Sequence, residues 1–301
     1  MDYELTLFDR LEVIKATNQK YDLEHNAYIS FSGGKDSTIL HYLIDEALPN
    51  NRIPRVFINT GIEYQMIVDF VKGLASKDDR FIILQPSTPI KPMLEKVGYP
   101  FKSKEHSLYV EQYQKNGMSK TTDRYLNPSE SRKDFGCPKI LRYQFTKEFK
   151  LKISNKCCFE LKKKPIHEWQ IKNNRPITIT GMRKDEGGNR KNIQGCVLTD
   201  NNGNLIKFHP LLVVSDEFEE WYRERERIAL APLYCQPYNF KRSGCCGCPY
   251  ALSLQEQLET LERLLPNEKR KAEIIWKPVY DEYRRLNYRL KKVEQIKLLE
   301  D

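Results

Sequence analysis

Residues 27–48 bring together the groups needed to hold a phosphate. Ser32-Gly33-Gly34-Lys35-Asp36-Ser37-Thr38 follows the apolar run Ala27-Tyr-Ile-Ser-Phe31 and precedes Ile39, Leu40, Leu43 and Ile44, which recur at helical spacing. A strand, a tight glycine turn and a helix in that order aim successive backbone amides and a positive helix end at one point, where they cradle phosphate. Glycine lets the backbone approach closely, Lys35 adds a cation, and Ser32, Ser37 and Thr38 add hydroxyls. The spacing is not that of the Walker A loop, which has four residues between its first glycine and the Gly-Lys pair. A glycine turn with a Ser or Asp helix cap uses the same residue types, so the fragment takes its meaning from its surroundings.

The second reactive set is made of cysteines. Of the eight, five fall in two short segments, Cys157-Cys158 and Cys245-Cys246-Gly247-Cys248, the second beginning 87 positions after Cys158. In a reducing compartment such clustering points to metal or redox chemistry and not to a disulfide framework. Thiolates at Cys157, Cys158, Cys245 and Cys248 can bind zinc or an iron-sulfur cluster. Adjacent cysteines strain to wrap one tetrahedral zinc, whereas a four-iron cube offers each thiolate its own iron, so geometry modestly favours a 4Fe-4S cluster with zinc as the alternative. Cys235 and Cys246 are left over, and either can replace a ligand; Cys137 and Cys196 are read as lone thiols.

These groups need a scaffold, and the chain alternates strand and helix patterns. Strands are expected at 27–32, 55–59, 81–84, 177–180 and 205–212, with helices at 36–48, about 64–75 and 216 to about 228. Such alternation implies βαβ units: an α/β fold with a parallel sheet and helices on both faces. Prolines at 86, 89, 92 and 100 punctuate the next stretch, and 115–139 is polar and helix-poor, so a mobile loop is expected there. From Leu252 the chain reads as helical to its end, interrupted at Pro266 and Pro278. The expected division is a nucleotide-binding domain with the metal centre over 1–250 and a helical C-terminal appendage over 251–301.

The glycine loop at the end of a first strand resembles that of the PP-loop (adenine nucleotide alpha-hydrolase) superfamily, shared by ATP pyrophosphatases, tRNA thiolation enzymes and sulfonucleotide reductases. Asn59-Thr60-Gly61-Ile62-Glu63 resembles the superfamily's Asp-Thr-Gly region beside the nucleotide, with Asn for Asp. Gly181-Met182-Arg183 through Arg190 resembles a segment whose arginines meet phosphate or sulfate, with Gly187 where Ser is usual. The cysteine pair, the later Cys-x-x-Cys and a basic residue after the pair, Lys162, resemble the ligand set of the iron-sulfur reductases of the PAPS-reductase-like family. The resemblance covers about residues 27–250. It implies a nucleotide site of Ser32, Gly33, Gly34, Lys35, Asp36, Ser37, Thr60, Gly61, Glu63, Arg183 and Arg190, with Lys35 and Asp36 catalytic.

Sulfonucleotide reductases attack sulfate with a cysteine in a C-terminal Glu-Cys-Gly-Leu-His segment, and no cysteine follows Cys248 here. The resemblance therefore implies ATP held with Mg²⁺, cleavage at the α-phosphate, and activation of an acceptor for sulfur incorporation, with Asp36 helping to place the metal. Reduction of APS or PAPS is the alternative, and a non-catalytic nucleotide-binding module of a larger assembly is the third reading.

Composition sets wider bounds. A net charge of +9 makes polyanions, nucleic acid among them, plausible partners beside an adenine nucleotide and a sulfur donor protein. Trp276, Tyr280 and Tyr283 sit at helical spacing near Arg284, Arg285 and Arg289; a core-facing aromatic stripe is favoured over stacking on bases. The first residues lack the order of a signal peptide and no apolar run is long enough to span a bilayer, so a cytoplasmic protein without membrane contact is expected.

Overall fold

The computed structural model describes residues 2–292, and they form two compact units built from interleaved segments. The first comprises 1–59, 63–85 and 164–243; the second comprises 60–62, 86–163 and 244–301. The helices after residue 251 thus group with 86–163.

The first unit holds a six-stranded sheet of β1 (Ala27–Ser30), β2 (Arg55–Ile58), β3 (Phe81–Leu84), β4 (Ile177–Ile179), β5 (Val197–Thr199) and β6 (Leu205–Phe208). Their order is β3-β2-β1-β4-β6-β5. Every pairing is parallel except β5 with β6. Register is set by pairs such as Ile29 with Arg55 and Ala27 with Ile177. The central strand β1 is apolar and buried, as a strand covered on both faces must be. Flanking helices supply Leu7 and Ile14 from Tyr3–Tyr21, Ile39, Leu40, Leu43 and Ile44 from Lys35–Ala47, and Phe218 and Tyr222 from Asp216–Arg225. The α/β expectation with a largely parallel sheet holds. Helix Tyr3–Tyr21, capped by Asp2, and the antiparallel edge strand β5 were not anticipated.

From β1 the chain passes to β2 on one side, while β4 pairs on the other, so the direction of strand order reverses beside β1. Ligands of open α/β sheets bind at such a switch point, beyond the carboxyl ends of the strands.

The second unit is helical and corrects two expectations. Residues 115–139 are not a featureless loop: helix Lys104–Asn116 runs into them and Lys120–Leu126 follows. Ser119 caps the latter by accepting from the Thr122 amide at 3.2 Å, and Thr122, Tyr125 and Leu126 are buried, packing that polar composition conceals. Pro278 interrupts nothing, lying inside helix Pro266–Leu286. The carbonyl its missing N–H would have met belongs to Ile274, an exposed residue open to water, while Ile275, Trp276, Val279, Tyr280 and Tyr283 hold the opposite face. Pro266 starts this helix after Leu254–Leu264, the position proline favours. The helical reading ends at Leu286 within the described residues, and 293–301 lie outside them. Among the described residues no helix is long and apolar enough to cross a membrane.

Candidate active site

The phosphate-loop residues sit at the carboxyl end of β1, at the switch point. Gly33 has φ +69°, and a Cβ there would stand 2.8 Å from Cγ2 of Ile67, so the turn needs glycine for both its dihedral and its packing. The hydroxyls brace the loop: Ser37 Oγ donates to the Gly34 carbonyl at 3.0 Å and accepts from the Ser32 amide at 3.2 Å. Ser32 Oγ accepts from the Gly34 amide at 3.2 Å, and Thr38 Oγ1 donates to the Gly34 carbonyl at 2.9 Å. The helix begins at Lys35, which places its positive end at the turn.

The chain leaving β4 meets this helix start. A Cβ on Gly181 would be 2.8 Å from the Asp36 carbonyl oxygen, so glycine allows the two backbones to touch. Two residues on, buried Arg183 places Nη2 2.6 Å from Asp216 Oδ1 and 3.5 Å from Asp36 Oδ1, and Nε 3.2 Å from Glu219 Oε1. Lys35 Nζ stands 3.2 Å from Glu219 Oε2 and 3.6 Å from Asp216 Oδ1. Two cations are thus gathered with three carboxylates. The Glu219 side chain is wholly buried, and burial followed by the Asp36 charge pushes its pKa up to about 8. Arg183 Nε and Nη1 are buried without a hydrogen-bond partner despite the nearby carboxylates, as are both Glu219 oxygens. Unmet guanidinium donors in a buried site are costly and suit an anionic ligand's oxygens.

The remaining residues expected at the nucleotide lie nearby in sequence. Thr60, Gly61 and Glu63 follow β2; Thr60 and Glu63 are buried and Gly61 has φ +84°. Arg190 is half-buried in the turn Gly188–Asn192 that follows Arg183.

The cysteine set lies wholly in the second unit. Burial, then the charges of Cys245, Cys158 and Cys248, raise the Cys157 thiol pKa, and burial, then Cys245, push Cys248 up to about 12. The four expected ligands therefore stand within electrostatic reach of one another. Burial and neighbouring thiols thus disfavour the bare thiolate at Cys157 and Cys248, a cost that a bound metal would offset. Among the described residues, no three Cys, His, Asp or Glu stand in a ready-made metal-holding arrangement. Cys158 precedes a single π-helical turn, Phe159–Lys163, a distortion common at functional sites.

Cys246 is buried, and its Sγ lies 3.5 Å from the Glu268 carbonyl oxygen. Cys235 is exposed and belongs to the first unit. The turn is anchored by the long helix: Trp276 Nε1 donates to the Cys246 carbonyl at 3.0 Å, Tyr280 to that of Gly247, and Tyr283 to that of Pro249 at 2.9 Å. The aromatic stripe is core-facing, as the sequence favoured, and it supports the cysteine turn.

The phosphoadenosine phosphosulfate reductase domain model matches residues 26–251. The chain belongs to this family. The PAPS reductase of Candida auris, in a phosphate complex, is similar at 16% identity over 78% of this chain and 87% of that one, with a TM-score of 0.46. The U34-tRNA thiolase NcsA of Methanococcus maripaludis, with its 4Fe-4S cluster, is similar at 15% identity over 92% and 80% of the two chains, with a TM-score of 0.39. An uncharacterized protein of Methanocaldococcus jannaschii is 37% identical over 73 residues, 24% of this chain and only 17% of that relative's length.

Within this PAPS reductase-family fold, sequence reasoning missed Asp216, Glu219 and Tyr234. Asp216 and Glu219, three apart, share a helix face, but acidic residues in a first turn are ordinary helix chemistry, so nothing in the pattern marked them as partners of Lys35. A Cβ on Gly34 would stand 3.3 Å from the Tyr234 hydroxyl, which in turn bonds Ser243 Oγ. That proximity has no local sequence signal.

Proposed function

We propose that this PAPS reductase-family chain is an ATP pyrophosphatase that activates an acceptor for sulfur incorporation. The observation that supports it most is the meeting of the glycine loop and Lys35 with buried Arg183, whose Nε and Nη1 lack hydrogen-bond partners. Loop amides and Lys35 suit the phosphates of Mg-ATP, and Arg183 supplies forked, permanently charged donors to the same anion. Asp36 and the magnesium that accompanies the nucleotide fit together as carboxylate and hard cation.

In this reading an acceptor oxygen attacks the α-phosphorus, the bond to the bridging oxygen breaks, and pyrophosphate leaves with that oxygen. Lys35 and the loop amides stabilise the charge that develops on the departing phosphates. A sulfide-level sulfur donor then displaces AMP from the adenylated acceptor. Cys157, Cys158, Cys245 and Cys248 would hold a 4Fe-4S cluster, whose chemistry when bound is to carry or deliver sulfur. The raising of the Cys157 and Cys248 thiol pKa values by the neighbouring cysteines supports this assignment, and zinc is the other metal such a set accepts.

The family match itself favours a second reading, APS or PAPS reduction. One anaerobic preparation separates them: visible spectrum, iron and sulfide content, pyrophosphate release from ATP, and sulfite release from APS or PAPS with thioredoxin. Brown protein that forms pyrophosphate supports the proposal. Sulfite formation moves the chain to the reductases, and tight ATP binding without turnover makes it a binding module.

A further inference from the structure

The chain's positive charge is confined to one of its two units. The sheet unit carries 22 Lys and Arg against 23 Asp and Glu, a net of −1. The cysteine-bearing unit carries 28 against 18, a net of +10. Within it, residues 86–163 alone hold 17 cations and 8 carboxylates, a net of +9. A charge spread for solubility would fall on both units, so this partition points to a specific surface.

The packing draws several of these cations together. Backbone bonds from Tyr99 to Lys152 and from Ser154 to Tyr99 lace 150–156 to the end of helix Ile90–Val97, and Gln114 ties the same segment to helix Lys104–Asn116 through the Leu151 carbonyl at 2.8 Å. Lys115 and Lys156 share one carboxylate, Glu111, at 2.5 and 3.0 Å. Lys152 ends on the Lys96 carbonyl and Lys150 on that of Lys147 at 2.7 Å. A carbonyl satisfies the hydrogen bonds of Lys150 and Lys152 without cancelling charge, Glu148 being the carboxylate that acts on Lys150, and Lys96, Lys150 and Lys152 all occupy exposed positions. Lys156 leads directly into Cys157.

We propose that this lysine surface, centred on Lys96, Lys115, Lys150, Lys152 and Lys156, is a docking site for a nucleic-acid backbone on the cysteine-bearing unit. Regularly spaced phosphates are the ligand that a cluster of lysine ammonium groups in net excess over carboxylates matches, through release of condensed counterions. The inference concerns binding alone and stands whether or not ATP is cleaved.

The test is fluorescence anisotropy of the intact protein with a labelled 30-nucleotide RNA and a duplex DNA of the same sequence, titrated from 50 to 300 mM salt. Four to six phosphate contacts predict a log–log salt slope between about −3 and −5. The K96Q/K150Q/K152Q variant is expected to bind at least tenfold more weakly with a shallower slope, while K15Q/K20Q/K172Q, on the other unit, binds as before. Circular dichroism confirms that both variants fold. A preference for the RNA or the DNA arm identifies the nucleic acid. Binding that survives the first variant, no binding at 50 mM salt, or equal competition by polyglutamate each overturns the proposal, and none of them bears on the pyrophosphate assay.

Discussion

The indole nitrogen of Trp276 donates to the carbonyl oxygen of Cys246 at 3.0 Å, so the centre of a C-terminal helix holds the turn that carries two of the candidate metal ligands. Replacing Trp276 with Phe keeps most of the ring but leaves a buried carbonyl without its donor. A loss of about 1–3 kcal/mol is expected from chemical denaturation. An unchanged midpoint would show that the bond contributes nothing.

The same turn constrains Gly247. Its φ is +60°, and a Cβ would lie 2.7 Å from the Ala272 Cβ and collide with the Tyr280 hydroxyl. Gly247→Ala should cost about 2–4 kcal/mol from strain and overpacking. Gly244→Ala, with nothing within 4 Å, serves as the control and should be close to neutral.

Metal content distinguishes the cysteines. Serine at Cys157, Cys158, Cys245 or Cys248 should lower iron and sulfide to less than half of the unaltered protein's. Cys246→Ser should retain them, because that side chain lies against the Glu268 carbonyl. Equal loss in all five would refute the ligand assignment.

At the nucleotide loop, Lys35→Ala should weaken binding of a non-hydrolysable ATP analogue by roughly 10- to 100-fold, the worth of one charge-assisted contact. Arg183→Lys keeps the charge but loses the fork, and should weaken binding less than Arg183→Ala. Calorimetry on the folded variants decides both.

Burial holds His106 neutral, its pKa lowered to about 4, between Tyr125 at 2.9 Å and Gln144 at 2.7 Å. Because the unfolded chain binds this proton near pH 6.5, the stabilising contribution is complete above that pH and is lost as pH falls through 4. The group adds a slope of up to about 1.4 kcal/mol per pH unit across that window. His41 and His209, also lowered to about 4 by burial, act in the same direction. Melting temperatures from pH 7.5 to 4 should decline, and less steeply in His106→Asn; a parallel curve would rule His106 out as a source of the slope.

Local patterning made the phosphate loop legible. Ser32–Ser37 follows an apolar strand and opens a helix with apolar residues at period 3.6, and each of those features is written in neighbouring residues. The vicinal cysteines and the Cys-x-x-Cys were legible for the same reason, as was the parallel sheet implied by alternating elements. Helix Lys120–Leu126 was hidden because its apolar residues are few and its cap is a serine in a polar stretch. Pro278 misled because a proline's cost depends on whether the freed carbonyl faces water, which a linear pattern does not record.

Residue order alone specifies which residue types can meet phosphate and metal and the strand-to-helix order that presents them. Chain folding alone brings Glu219 to Lys35 and Arg183, sets the Cys246 thiol against the Glu268 carbonyl, and makes the aromatic stripe of the last helix carry the cysteine turn. The reason is physical: propensity and periodicity act over a few residues along the chain, whereas these contacts join positions 22 to 184 apart, and their energies come from shared burial that exists only once the units have packed.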